Sequence, residues 1–344
     1  MGFFAVAPAR DEDRLEIKAC HLTFWVLPQY WYRWFPRGFR YFFDVGLRIH
    51  AGTEIRRIRI ALPFDTDQTS LSDLSNFVLN PSFAPLIFGR PVTVANNRIE
   101  YDAQSLGQGK VSDLVGAVNT GGSTPDQESH PIFSAWTIEL QQPIPTGTDA
   151  YIRFRFRVRN PDALWAEKGW GYAKRGMIVD LRVSDVREFN VLGFGTEFAK
   201  RLLPIEHLFL FLGTPAYFVP KHISPPLQYS RLLEPLVWRP YLDAPPWLPN
   251  FLETWIATPI SIHQWRSKGA GGSNPTPVAL DEPYRAYMDV SREFGRALWL
   301  YYLAFTASLP IAISLWRWIW SALIKTWFFQ ILQRFIEWFS GPIS

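Results

Sequence analysis

Apolar and polar residues keep two different rhythms along this chain. Through the first two hundred or so residues they alternate in short runs, the period of strands with one buried face. From Ala297 to Trp316 the alternation gives way to ALWLYYLAFTASLPIAISLW, twenty residues without a charge. A helix of that length spans about 30 Å, the thickness of a bilayer's hydrocarbon core.

The alternating part predicts strands and turns in order. Leu15 to Leu27 has strand character. Val45, Leu47 and Ile49 alternate, as do Ile58, Ile60 and Leu62, with Arg57 and Arg59 on the opposite face. Ala51-Gly52-Thr53 lies between, so Phe43 to Ile49 and Glu54 to Leu62 are expected as a hairpin. Ser70 to Leu79 reads as a short helix capped by Ser70 or Ser72. Pro91 to Ala95 and Arg98 to Asp102 pair across Asn96-Asn97, residues that tolerate positive φ. Residues 103–130 are poor in apolar side chains and read as a long loop with a turn of helix at Val111 to Ala117. Trp136 to Leu140 and Ala150 to Arg159 are expected as a strand pair, and Ile178 to Val186 and Ile205 to Leu212 as further strands. The fold class is therefore mainly β, a sandwich or barrel-like domain, followed by a C-terminal transmembrane helix and an amphipathic helix.

The boundaries follow from composition. Residues 1–13 read as an N-terminal tail and 14–214 as the β-rich domain. Residues 215–265, dense in proline and aromatics, read as an extended segment packed on that domain, with a short helix at Leu248 to Ile256. Residues 266–281 read as a flexible linker. Residues 282–344 read as a membrane-associated helical region whose helix starts at Glu282.

The uncharged run competes with a buried core helix, which would keep a polar stripe. Its flanks favour a membrane. Arg292 and Arg296 precede it and Arg317 follows. Trp299, Tyr301 and Tyr302 lie near one end, and Trp316, Trp318 and Trp320 near the other. Pro310 inside it is tolerated in lipid. The next segment carries Arg317, Ser321 and Lys325 at spacings of four, then Arg334. Lys325 at the bilayer centre would cost about 2.5–3.5 kcal/mol. An amphipathic helix in the interface is expected there, and an oligomer lining a pore fits the same residues. No signal pattern opens the chain, so the β-rich domain is expected in the cytoplasm, on a single-pass or hairpin anchor.

Charge and chemistry narrow the function. The net charge of +4 is too dispersed for nucleic acid and suits an anionic leaflet. Cys20 is the single cysteine, so no internal disulfide and no cysteine metal cluster is expected. The six histidines lack ligand spacing, and neither a phosphate-loop nor a GxSxG pattern occurs. No catalytic residue, metal or cofactor is assigned. The segment from Pro28 to Phe43 mixes aromatics with Arg33, Arg37 and Arg40, read as rings packed under arginines in preference to a membrane-surface patch.

The sharpest motif is Tyr151 to Arg159. Ile152, Phe154, Phe156 and Val158 share one face, and Arg153, Arg155, Arg157 and Arg159 the other. Cross-strand pairing with Asp180 or Glu139 is the structural reading. A site for a phosphate-bearing ligand, a nucleotide or a lipid headgroup is the functional one, with Arg57 and Arg59 joining if their strand is a neighbour. The chain is thus expected to be a tail-anchored membrane protein whose domain binds a ligand or partner and couples it to the membrane segment. One version is a membrane-perturbing or pore-forming effector, and the alternative is a structural or scaffold subunit of a membrane complex. The expected partners are the lipid bilayer, an anionic small molecule or lipid headgroup, and a homo-oligomer or partner protein.

Overall fold

In this computed structural model the described residues are 2–31, 35–64, 71–102, 109–126, 134–158, 165–170, 174–185, 201–242, 259–267, 284–293 and 296–339. The chain divides into two compact units, Met1–Arg292 and Glu293–Ser344. Among the described residues the strands of the first unit make a sheet of eight and a sheet of ten.

The eight-stranded sheet runs β15 (Phe218–Ser224), β18 (Tyr284–Glu293), β13 (Lys174–Val183), β1 (Gly2–Pro8), β4 (Ile55–Leu62), β10 (Ser134–Ile144) and β9 (Thr124–Pro125), with β12 (Trp165–Trp170) also on β13. The ten-stranded sheet runs β16 (Tyr229–Leu233), β17 (Ile260–Arg266), β14 (Leu208–Pro215), β2 (Leu15–Trp31), β3 (Phe35–Ala51), β11 (Asp149–Val158), β8 (Lys110–Gly116), β7 (Arg98–Asp102) and β6 (Val92–Ala95), with β5 (Leu71–Asp73) also on β11. Phe4, Val6, Ile58, Ile60, Trp136 and Ile138 of the first sheet share one apolar cluster with Leu22, Phe24, Val45, Leu47, Ile152 and Phe154 of the second. The packing is sandwich-like, with alternate residues of each strand meeting in the middle.

The ten-stranded sheet is buried on its other face too. Two short helices, α1 (Ser75–Val78) and α2 (Ala84–Phe88), and a third, α3 (Pro235–Trp238), supply the cover. Trp25, Phe42, Leu74, Trp238 and Tyr241 form one cluster there, and Tyr101, Ile99, Val78 and Tyr151 another. This second layer is why β2 carries large side chains on both faces.

Several expectations are corrected. β3 and β4 are not a hairpin: β3 pairs with β2 and β11, and β4 with β1 and β10. The turn at Gly52 carries the chain between sheets, because both strands have apolar faces that the same core buries. Trp136 to Leu140 and the Arg153 strand are separated in the same way. The expected tail forms β1, between β13 and β4, since Phe3, Phe4 and Val6 are fully buried there. The expected helical turn at Val111 lies in strand β8, where β7 and β11 supply hydrogen-bond partners. Helix α1 is shorter than expected and has no side-chain cap, because Leu71–Asp73 pairs with β11 instead. Within the proline-rich stretch, β15, β16 and β17 are strands, with prolines near strand ends or beside a register shift. Tyr284–Glu293 is strand β18, not the start of a helix. The hairpin across Asn96-Asn97 forms, both residues having positive φ of 50° and 57°. The expected helix at 248–256 and the segment 268–281 of the expected linker lie outside the described residues.

The second unit is one helix, α4 (Arg296–Phe339), of 44 residues. It runs through Pro310 and past Arg317, where two separate segments were expected. At about 1.5 Å per residue it is roughly 66 Å long, about twice a bilayer's hydrocarbon core. The segment expected as a separate amphipathic helix is continuous with the apolar run in this one helix. The residues from Phe305 to Ile336 are long and apolar enough to cross a membrane, and all are exposed.

Candidate functional site: a cationic cavity on the ten-stranded sheet

The outer face of the ten-stranded sheet is built by register. Thr23 lies beside Asp44 and Trp25 beside Phe42. Asp44 lies beside Arg155, and Gly46 beside Arg153. A Cβ at Gly46 would collide with the Tyr151 hydroxyl and crowd Arg153, so glycine makes room for both. Gly213 of β14 does the same for the Trp25 ring.

Asp44 is the hub. Its carboxylate accepts from Arg155 Nε at 2.6 Å and Nη2 at 3.0 Å. It also accepts from the Trp25 indole at 2.8 Å and the Tyr241 hydroxyl at 2.6 Å. Burial alone would raise this carboxyl, but Arg155, Arg153 and the Tyr241 hydrogen bond hold it below its ordinary value. Arg153 donates to the hydroxyls of Tyr241 at 2.8 Å and Tyr151 at 3.0 Å, and its distance to Asp44 is 3.7 Å. Both arginines are only 5% exposed. One carboxylate thus serves two buried guanidiniums, and the cluster carries an excess positive charge.

Arg153 can only donate, so the Tyr151 oxygen accepts from it. The Tyr151 hydroxyl also lies 3.0 Å from Nδ1 of His21, a ring held neutral by its surroundings. Burial, then Arg153 and Arg90, lower its pKa to about 3.

In front of this cluster lies a cavity of about 240 Å³. Its floor is His21, Thr23 and Trp25 of β2 with Arg153 of β11. Phe209 and Phe211 of β14 and Gln264 and Arg266 of β17 form one side. Tyr229 and Arg231 of β16, with Trp238, form another, and Phe88, Arg90 and Tyr101 close the far end. Arg48 is the fifth arginine of the lining, which among the described residues contains no aspartate or glutamate. The carboxylates that serve Arg48 and Arg153 stand behind the wall: Asp113 at 2.9 Å from Arg48, and Asp44. Like charges crowd the front. Burial and then Arg90 lower the Arg266 guanidinium's pKa. Arg266 lies over the Phe209 ring at 5.2 Å and Arg90 over Tyr101 at 5.6 Å. The chemistry on offer is hydrogen-bond donation and positive charge within aromatic walls, which suits an anion.

The expected arginine face is divided. Arg153 lines the cavity, and Arg155 is committed to Asp44 and the Tyr241 carbonyl. Arg157 is exposed, and Arg159 lies outside the described residues. Arg57 and Arg59 are in the other sheet, paired with Glu139 at 3.0 Å and Asp126 at 2.6 Å. They do not join the site. The carboxylate partner of Arg153 and Arg155 is Asp44, not Asp180 or Glu139; Asp180 pairs with Arg285. From Phe39 to Phe43 the aromatic segment is packed, with Tyr41 stacked on Phe24 and Arg40 over Phe42.

Sequence reasoning missed His21, Trp25, Arg90, Arg231, Gln264 and Arg266. His21, Thr23 and Trp25 alternate with Leu22, Phe24 and Val26, which is a signal for a strand buried on both faces. Nothing local marks Arg90 or Arg231, which meet the others through tertiary packing.

On α4, Trp316, Trp318, Trp320, Arg317, Lys325 and Arg334 are exposed, and Trp299 lies near its start. Trp316 and Trp320 stack at 5.8 Å. The hydroxyls of Ser308, Ser321 and Thr326 donate to carbonyls of the preceding turn, which satisfies them without water.

No family model and no curated protein matches this chain. Among solved structures it is similar to an M1 zinc metallopeptidase from Deinococcus radiodurans, with 11% identity and a TM-score of 0.31 over 80% of this chain and 42% of that one. A mutant of that enzyme gives a TM-score of 0.32 with the same coverage. The chain thus spans less than half the length of those structures. A likeness of that size carries no argument. Among the described residues no group of three or more His, Cys, Asp or Glu could hold a metal.

Proposed function

We propose that this chain is a membrane-tethered binding module, in which the β-rich unit holds a small anionic ligand and α4 anchors it in a bilayer. The observation that carries the reading is the cavity lining, with five arginines and a neutral imidazole and, among the described residues, no carboxylate. An anion entering it meets fixed donors in a poorly solvated wall, where charge-assisted hydrogen bonds are strong.

The anchor rests on α4. More than thirty consecutive exposed helical residues, most of them apolar, cannot stay in water. The hydroxyls of Ser308, Ser321 and Thr326 are satisfied internally, as hydrocarbon requires. The uncharged run ends at Arg317, which would sit at one interface with Trp316, Trp318 and Trp320 around it. The β-rich unit is placed in the cytoplasm in this reading.

The test has two arms. Full-length protein and a chain ending at Glu293, which keeps β18 whole, are floated with liposomes after a carbonate wash. Only the full-length protein should float. Pyrophosphate should raise the melting temperature of both. Flotation of both chains removes the anchor, and equal melting with and without the anion removes the binding site.

A further inference from the structure

The cavity floor changes character along the strands. Register sets Arg266, Phe209, His21, Gly46 and Arg153 side by side in one row across β17, β14, β2, β3 and β11. Two residues along, Gln264, Phe211 and Thr23 make the next row. Two further along, Ile262, Gly213 and Trp25 make a third. At about 3.3 Å per residue the first and third rows are about 13 Å apart. The first row carries cations and the third is apolar. Arg231 stands beside Ile262 on the edge strand β16 with an exposed side chain, at the mouth of the cavity.

The cover follows the same order. Leu86 and Ile87 of α2 pack on the cluster that contains Trp25 and Trp238. Phe88 packs against the first row, 6.2 Å from the His21 ring, and Arg90 follows, close enough to Arg266 to disfavour its charge. Floor and cover thus give the cavity one cationic and one apolar end. An inorganic anion would fill only the first. The apolar end is walled by rings, with Phe211 below and Trp25 and Trp238 6.2 Å apart beyond it. Rings favour ring partners beyond the area they bury. A volume of about 240 Å³ is below the usual range for drug-sized ligands, so the ligand is small.

We infer that the cavity takes a small aromatic acid, with its carboxylate or phosphate group at Arg90 and Arg266 and its ring between Phe211, Trp238 and the α2 residues Leu86 and Ile87. This rests on the reading above that the cavity binds an anion. The oxyanion lies between two guanidiniums that otherwise repel each other, and both forks suit it. The ring takes the place of water against the apolar end.

The experiment is calorimetric titration of the full chain in phosphatidylcholine nanodiscs, with empty nanodiscs titrated alongside. The probes are phenylacetate, phenyl phosphate, cyclohexylacetate, phenylacetamide and inorganic pyrophosphate. Phenylacetate should bind at least roughly tenfold tighter than the amide, which has the ring without the charge. It should bind at least about threefold tighter than cyclohexylacetate, which has the charge without the flat ring. The tighter of phenylacetate and phenyl phosphate names the oxyanion, and that acid should also exceed pyrophosphate. Arg266→Gln should weaken both aromatic acids and pyrophosphate. Phe211→Leu should erase the preference for the flat ring and leave pyrophosphate binding unchanged. Equal binding of phenylacetate and cyclohexylacetate by the parent chain overturns the inference, as does pyrophosphate binding as tightly as either aromatic acid. In both cases Arg266-dependent pyrophosphate binding would leave the anion site standing. If no probe binds, the anion site falls and the aromatic acid with it.

Discussion

Two arginine-bearing strands with nearly the same pattern meet opposite fates. β4 reads IRRIRI and β11 reads RFRFR, and both turn their apolar residues to the shared core. On β4 the outer face stays at the surface, where Arg57 is 58% exposed in its pair with Glu139. On β11 the outer face is roofed around Arg153 and Arg155 by α1, α2 and the segment around Tyr241, and these two are buried with a single carboxylate between them. The alternation decides which residues share a face. Whether that face meets water or a second layer is decided by elements far away in sequence. Charge removed from water must be fixed by hydrogen bonds, and charge left in water need not be.

The comparison breaks most sharply at Asp44. Asp44→Ala leaves two buried guanidiniums without their carboxylate, and unfolding of the full chain in detergent should lose about 3–5 kcal/mol of stability. A loss no larger than that of a surface pair would mean the cluster is open to water.

Next in size is a dependence on pH. His21 and His263 are held neutral mainly by burial, with pKa values lowered from 6.5 to about 3 and about 4. Between 6.5 and those values the unfolded chain binds more protons than the folded one. Stability from these histidines is therefore complete above pH 6.5 and is lost as pH falls. Each should contribute up to about 1.4 kcal/mol per pH unit inside its window. Denaturation curves at pH 7 and pH 5 measure this, and His21→Gln should flatten the difference in part. No change in slope on that substitution would mean that His21 is protonated in the fold.

The smallest effect belongs to β4. Arg57→Ala should change stability by about 0–1 kcal/mol, with less effect at high salt. A loss comparable to that of Asp44→Ala would erase the distinction between the two faces.

Much of this architecture was legible in residue order. The mainly β class followed from alternation, and the hairpin at Asn96-Asn97 from turn chemistry. The apolar run from Ala297 marked the long helix. Pairing was not legible. The turn at Gly52 looks like a hairpin turn, yet it joins two sheets, because apolar alternation is satisfied equally by a neighbour strand or by a facing sheet. The strand at Phe3 and Phe4 was hidden by its shortness and position. Of the site, Arg153 was visible as part of a row, but its separation from Arg155 depends on Asp44 and Tyr241, the latter 88 residues further on.

The claim at the centre is that the cavity on the ten-stranded sheet, and not the arginine surface of the other sheet, receives anions. Calorimetric titration of the full chain in neutral nanodiscs with inorganic pyrophosphate tests it, with Arg231→Glu and Arg57→Glu beside the parent. Binding should weaken at least roughly tenfold in Arg231→Glu and stay unchanged in Arg57→Glu, because only the first charge lines the cavity. Equal weakening by both substitutions, or no binding by the parent chain, would contradict it.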